Sequence, residues 1–170
     1  MKNTMKMKLQ WALPGLAVAS CAFLSLALPG SASAQKPLFA NVSADAQCTV
    51  TGTDVMVDAG LIQKDVPSSG PVVSQVVFSL ELHFPNQRDW QPLAGTVVTQ
   101  SGIQTFPLKP AGDRYDVATQ DYVGICSQGV SPAANAVRAV VQITVDNANP
   151  KRPGGLIHTG RCISFPNPCR

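Results

Sequence analysis

Three carboxylates fall within nine residues, in Asp113-Arg114-Tyr115-Asp116 and at Asp121. Neighbouring carboxylates carry out acid–base work in hydrolases, and several together hold calcium. The residues leading into them, Pro110-Ala111-Gly112-Asp113, are turn formers, so a polar β-turn competes with a site. Asp146-Asn147-Ala148-Asn149 offers more oxygen donors but lacks the repeated acids of a dedicated calcium loop. The two histidines, His83 and His158, are the candidate general bases. His83 alternates with Glu81 on a polar strand face, which suits solvent, and His158 lies near Arg161. No Gly-x-Ser-x-Gly elbow, His-Glu-x-x-His pair, P-loop or Gly-x-Gly-x-x-Gly run occurs. Cys126 is not followed closely by the His and Met of a blue-copper site. No catalytic set, metal site or cofactor is therefore expected. An exported hydrolase using Asp113, Asp116 and Asp121 with a histidine is the enzymatic alternative.

Two other stretches carry the chemistry of recognition. Asn86-Gln87-Arg88-Asp89-Trp90-Gln91 sets an indole among hydrogen-bonding side chains, and an exposed Trp stacks on a sugar or anchors a protein partner. The competing reading folds Trp90 back over the core. Pro150-Lys151-Arg152-Pro153 is basic and stiffened by two prolines, which suits an acidic partner surface or a plain solvated loop. Trp90, Arg88, Lys151 and Arg152 are the candidate partner-binding residues.

The N-terminus sets where this chemistry would operate. Lys2, Lys6 and Lys8 precede an almost unbroken apolar run, Trp11–Leu28, and Ala32-Ser33-Ala34 closes it. This is the pattern of a secretory signal peptide cut after Ala34, which places the mature chain in the periplasm or outside the cell. Pro14 and Gly15 inside the run argue against an uncleaved anchor. Val18-Ala19-Ser20-Cys21 resembles a bacterial lipobox, with Cys21 as the lipidated residue in that minority reading. Without the three signal lysines, the 13 basic residues fall to ten against ten acids. A neutral chain lacks the basic excess that nucleic acid or an anionic membrane surface demands.

Cys48, Cys126, Cys162 and Cys169 remain beyond the signal. An even number in an exported chain predicts two disulfides, and no Cys-x2-Cys pair suggests zinc. Three connectivities are open. Cys162 with Cys169, stapling the tail, and Cys48 with Cys126 are marginally preferred.

The elements that must position these residues read as strands. Glu occurs once against nine Asp, while Val, Thr and Ser abound. Residues 35–46 read as an extended lead-in, and 47–170 as one domain. Gln47–Val57 reads as a strand interrupted at Gly52, and Leu93–Thr99, Ile103–Leu108 and Tyr115–Val117 as shorter strands. The clearest strand is Val73–Phe84, with Val76, Phe78, Leu80, Leu82 and Phe84 on one face and Val77, Ser79, Glu81 and His83 on the other. Ala136–Asp146 alternates likewise and, through a nine-residue turn-rich tip (Asn147–Gly155), predicts a hairpin with Leu156–Phe165. Seven or eight such strands punctuated by Gly and Pro predict an all-β fold, an antiparallel two-sheet sandwich, with a small barrel as the alternative.

Asp121-Tyr122-Val123-Gly124-Ile125-Cys126 resembles the F-strand region of immunoglobulin- and fibronectin-like domains. It departs in placing Tyr122 four residues before the cysteine, and in setting Trp90 42 residues after Cys48. The likeness implies architecture and transfers no residue roles. The signal, lead-in and early cysteine strand Gln47-Cys48-Thr49-Val50 resemble exported bacterial pilins, including the spore-coat-U type. That likeness implies self-assembly as a fibre subunit; Gln35–Asp45 offers only Leu38, Ala40 and Val42 as alternating apolar residues before turning polar, and the likeness transfers no residue roles. The leading expectation is an exported, disulfide-stabilised, non-enzymatic sandwich that binds a protein or carbohydrate partner.

Overall fold

The computed structural model describes residues 42–65, 69–146 and 155–170. The signal peptide, most of the lead-in, and Lys151 and Arg152 lie outside the described residues. Among the described residues no helix is long and apolar enough to cross a membrane.

Eight strands form an antiparallel, immunoglobulin-like sandwich. One sheet holds β1 (Val42–Thr51), β2 (Asp54–Gln63) and β5 (Arg114–Tyr122), in that order. The other holds β4 (Gln91–Thr105), β3 (Val72–His83), β6 (Ala136–Val145) and β7 (Leu156–Arg161), with β8 (Phe165–Pro166) also on β6. The alternation of β3 and β6 places the core. Val76, Phe78, Leu80, Val137, Val141 and Ile143 turn inward and are buried, meeting Val55, Val57, Leu61 and Tyr115 of the facing sheet. Glu81, His83 and Arg138 stand on the outer face, as a two-residue period requires.

Three local expectations are corrected. Gly52 does not merely interrupt a strand: its φ of 59° starts a two-residue turn, so the chain reverses and Thr51 pairs with Asp54. Glycine takes that backbone without a Cβ penalty. β1 begins at Val42, earlier than the polar lead-in suggests, because Val42 and Ala46 reach the core. The two short strands expected before and after Gly102 form one strand of 15 residues, β4.

The preferred disulfide pairing is also overturned. Cys48 bonds Cys162, and Cys126 bonds Cys169. Cys162 directly follows β7, which runs beside β1 and brings it to Cys48. The tail then turns back: Phe165 pairs with Val137, and buried Asn167 donates from Nδ2 to the Ser131 and Ala134 carbonyls, 2.8 Å each. This path carries Cys169 away from Cys162 to the 3-10 turn Ile125–Gln128. Sequence proximity gave way to strand pairing.

Candidate partner-binding site

Register alone builds the surroundings of Trp90. Glu81 of β3 faces Arg138 of β6, and Nε and Nη2 of Arg138 lie 2.8 and 2.6 Å from the same oxygen, Glu81 Oε2. So fixed, the guanidinium stacks over the indole, its central carbon 4.1 Å from the ring centroid. His83 meets the indole at 5.2 Å in a tilted arrangement, and its Nδ1 lies 2.8 Å from Asn135 Oδ1. Trp90 therefore neither covers the core nor stands free. It lies half-buried on the outer face of the larger sheet, with Arg138 on one ring face and exposed Arg88 in the preceding loop. His83 is a packed neighbour of this cluster and not a free surface group.

Of the four candidate residues, Trp90 and Arg88 lie near one end of β6, and the segment with Lys151 and Arg152, outside the described residues, follows its other end in the chain. His83, beside Trp90, pairs with Ala136 at the start of β6, whereas the tip leaves from Val145 at its other end. Those ends lie roughly 30 Å apart at ~3.4 Å per residue.

The carboxylates expected to serve a hydrolase are likewise separated. Asp113 closes a turn, its N–H donating to the Pro110 carbonyl at 3.3 Å. Asp116 and Asp121 lie in register with Gly60 and Met56 respectively, roughly 17 Å apart along β5. Asp116 pairs with Arg114, which crosses over Gly60 to reach Asp45 at 2.8 Å. Among the described residues no three His, Cys, Asp or Glu side chains gather as a metal site. His158 sits on the inward side of β7 opposite Ile143. Its Nε2 is buried without a hydrogen-bond partner among the described residues. Burial, and secondarily the charge of Lys64, lowers its pKa below the ordinary imidazole value.

Sequence reasoning missed the rim of β4. From Trp90 through Leu108 the chain has no charged residue, and β4 lies within that stretch as the edge of the larger sheet. Two register shifts interrupt its pairing with β3. Across one of them buried Thr96 completes the ladder, its Oγ1 accepting from the Leu80 N–H at 2.9 Å and donating to the Leu93 carbonyl at 2.7 Å. Beyond it, every residue from Ser101 to Thr105 is exposed, and Ile103 is 77% exposed. A strand packed on a second sheet buries alternate residues; this segment buries none. The uncharged run was the available signal, but only the sheet order shows that it forms an edge.

Fold and site together define a disulfide-stapled immunoglobulin-like sandwich whose β4 edge is uncharged and, among the described residues, exposed over Ser101–Thr105. No protein-family model matches the chain, and no curated protein matches its sequence. Among solved structures it is similar to CsgH of R. palustris (12% identity, TM-score 0.33, 75% of this chain and 93% of that one). It is also similar to the E. coli curli protein CsgC (11%, 0.35, 71% and 96%). A third is a protein from Archaeoglobus fulgidus (15%, 0.32, 74% and 94%). At these levels of likeness no residue role passes to this chain.

Proposed function

We propose that this chain is an exported, non-enzymatic binding module, cleaved after Ala34, that receives an extended segment of a partner protein alongside β4. The observation that carries this reading is the fully exposed, uncharged run Ser101–Thr105 on a sheet edge. Exposed edges are templates for strand addition, which proteins limit with charges, proline, bulges or a cover. This run has no charge and no proline, and the register shift opposite Val73–Gln75 is a bulge that the added strand must follow. The four cysteines in two disulfides suit an oxidising compartment, as the signal-like N-terminus does.

Photo-crosslinking in the native host tests the reading. A photoreactive residue at position 101, 103 or 105 is expected to give a discrete adduct, and one at exposed Gln142, on the outer sheet face, to give none. Equal adducts at both places, or none on the rim, overturn the proposal. An adduct at twice the mass of the chain identifies the partner as a second copy and favours the fibre-subunit reading.

A further inference from the structure

On the outside of the smaller sheet, at the end that carries the β1–β2 turn, a shallow hollow of about 280 Å³ opens. Met56 and Val123 supply its apolar surface, 38% and 67% exposed, and Thr49 and Thr51 border it. Asp54 and Asp121 stand in the same wall, and no lysine or arginine lines it. One oxygen of Asp54 accepts the Gly124 N–H at 2.7 Å, and among the described residues neither carboxylate has an ion pair. Asp58 follows along β2, its carboxylate accepting from Thr119 Oγ1 at 2.8 Å and its backbone carbonyl from Arg114 Nη2 at 3.1 Å. The Arg114 guanidinium, which reaches along this face as far as Asp58, is already paired with the Asp45 and Asp116 carboxylates, two negative charges to its one, and forms no ion pair with Asp54 or Asp121.

We propose that this hollow is a second docking surface, separate from the β4 rim, for a cationic segment of a partner protein. An aliphatic side chain of that segment seats between Met56 and Val123, and a flanking Lys or Arg meets Asp121 and Asp54. The argument is charge complementarity joined to exposed apolar surface. Neither element selects a ligand alone, but an uncompensated carboxylate pair beside exposed Met56 and Val123 disfavours an acidic or wholly polar occupant. The β6–β7 tip of a second copy, with Lys151 and Arg152, is one source of such a segment and an outcome of the test.

The probe is a fluorescent synthetic peptide of alternating leucine and lysine, titrated into the mature protein and followed by anisotropy, with a leucine–glutamate twin as control. The lysine peptide is expected to bind and the glutamate peptide not to bind. Asp121→Lys is expected to weaken binding at least about tenfold, and Met56→Ala several-fold. Asp89→Lys, an equal charge change in an exposed loop, is expected to leave binding unchanged. Binding of both peptides, or equal losses from Asp89→Lys and Asp121→Lys, overturns the proposal. Loss with Ile103→Lys alone also overturns it, assigning the peptide to the β4 rim and leaving that reading intact. Competition by a Lys151-Arg152 peptide, absent when both residues are replaced by Ala, identifies a second copy as the occupant.

Discussion

The two long seams where the sheets meet are closed by different means. Along one, β1 and β7 run so close that a Cβ on Gly160 would lie 3.0 Å from the backbone of Ala44 and Asp45, and Cys48–Cys162 ties the strands covalently. Each strand covers the other's edge. Along the opposite seam β4 meets β5 through isolated side-chain bonds: Tyr122 Oη donates to the Thr96 carbonyl at 2.8 Å, and Gln100 Nε2 to the Thr119 carbonyl at 3.0 Å. Beyond Gln100 the rim of β4, Ser101–Thr105, is exposed among the described residues. A seam locked by covalent and close backbone contact cannot open to take a strand. On the proposed reading, the difference puts stability on one side of the sandwich and strand recognition on the other.

The sharpest way to break this comparison is to cut the locked seam. The Cys48–Cys162 bond closes a separation of 114 residues and Cys126–Cys169 one of 43. The chain-entropy relation then gives upper values of ~5 and ~4 kcal/mol. The Cys48→Ala/Cys162→Ala variant is expected to lose about 3–5 kcal/mol in urea unfolding, more than Cys126→Ala/Cys169→Ala. A larger loss from the second pair would place the main staple at the tail. Next in size is Gly160→Val, whose branched side chain forces β1 off β7; a loss of about 1–3 kcal/mol is expected. On the open side, Ile103→Lys is expected to change stability by less than about 0.5 kcal/mol while abolishing rim adducts. A marked loss of stability there would show that the rim belongs to the fold and not to a partner.

The legible part of this molecule was the part written in alternation. β3 and β6 each lie at the centre of the larger sheet with one face on the core, so their inward sets follow directly from residue type. Gly52 and β4 were harder because the same residues suit an interrupted strand, a turn or a continuous edge, and the sheet order decides between them. The disulfides could not be read from spacing: Cys162 and Cys169 are near in sequence, yet β8 pairing with β6 carries Cys169 away. Trp90 was legible as a residue of interest, but its environment was not. Arg138 reaches it only because Glu81 and Arg138 fall opposite each other on two strands 57 residues apart. The β4 rim was missed because its one signal, the absence of charge from Trp90 through Leu108, is weaker than a motif and acquires meaning only once the sheet order makes β4 an edge.

Smaller effects test the fastenings of each seam. Tyr122→Phe removes the hydroxyl that satisfies the Thr96 carbonyl, a buried bond, and is expected to cost about 1–2 kcal/mol. His158 gives the locked seam a pH dependence. Its folded-state pKa lies below the ordinary value near 6.5, so on acidification the unfolded chain takes up the proton first. This contribution to stability is complete above about pH 6.5, falls as pH drops below it, and stops changing once the folded pKa is passed. The wild type is expected to melt at a lower temperature at pH 5.5 than at pH 7.5, and His158→Leu to show a smaller difference. Because the imidazole lies in β7, opposite Ile143, rather than on the open rim, the same acidification should leave adduct formation at position 103 unchanged wherever the protein stays folded. A rim that lost its partner in step with His158 protonation would show that the two seams are mechanically coupled, and would overturn the division of labour between them.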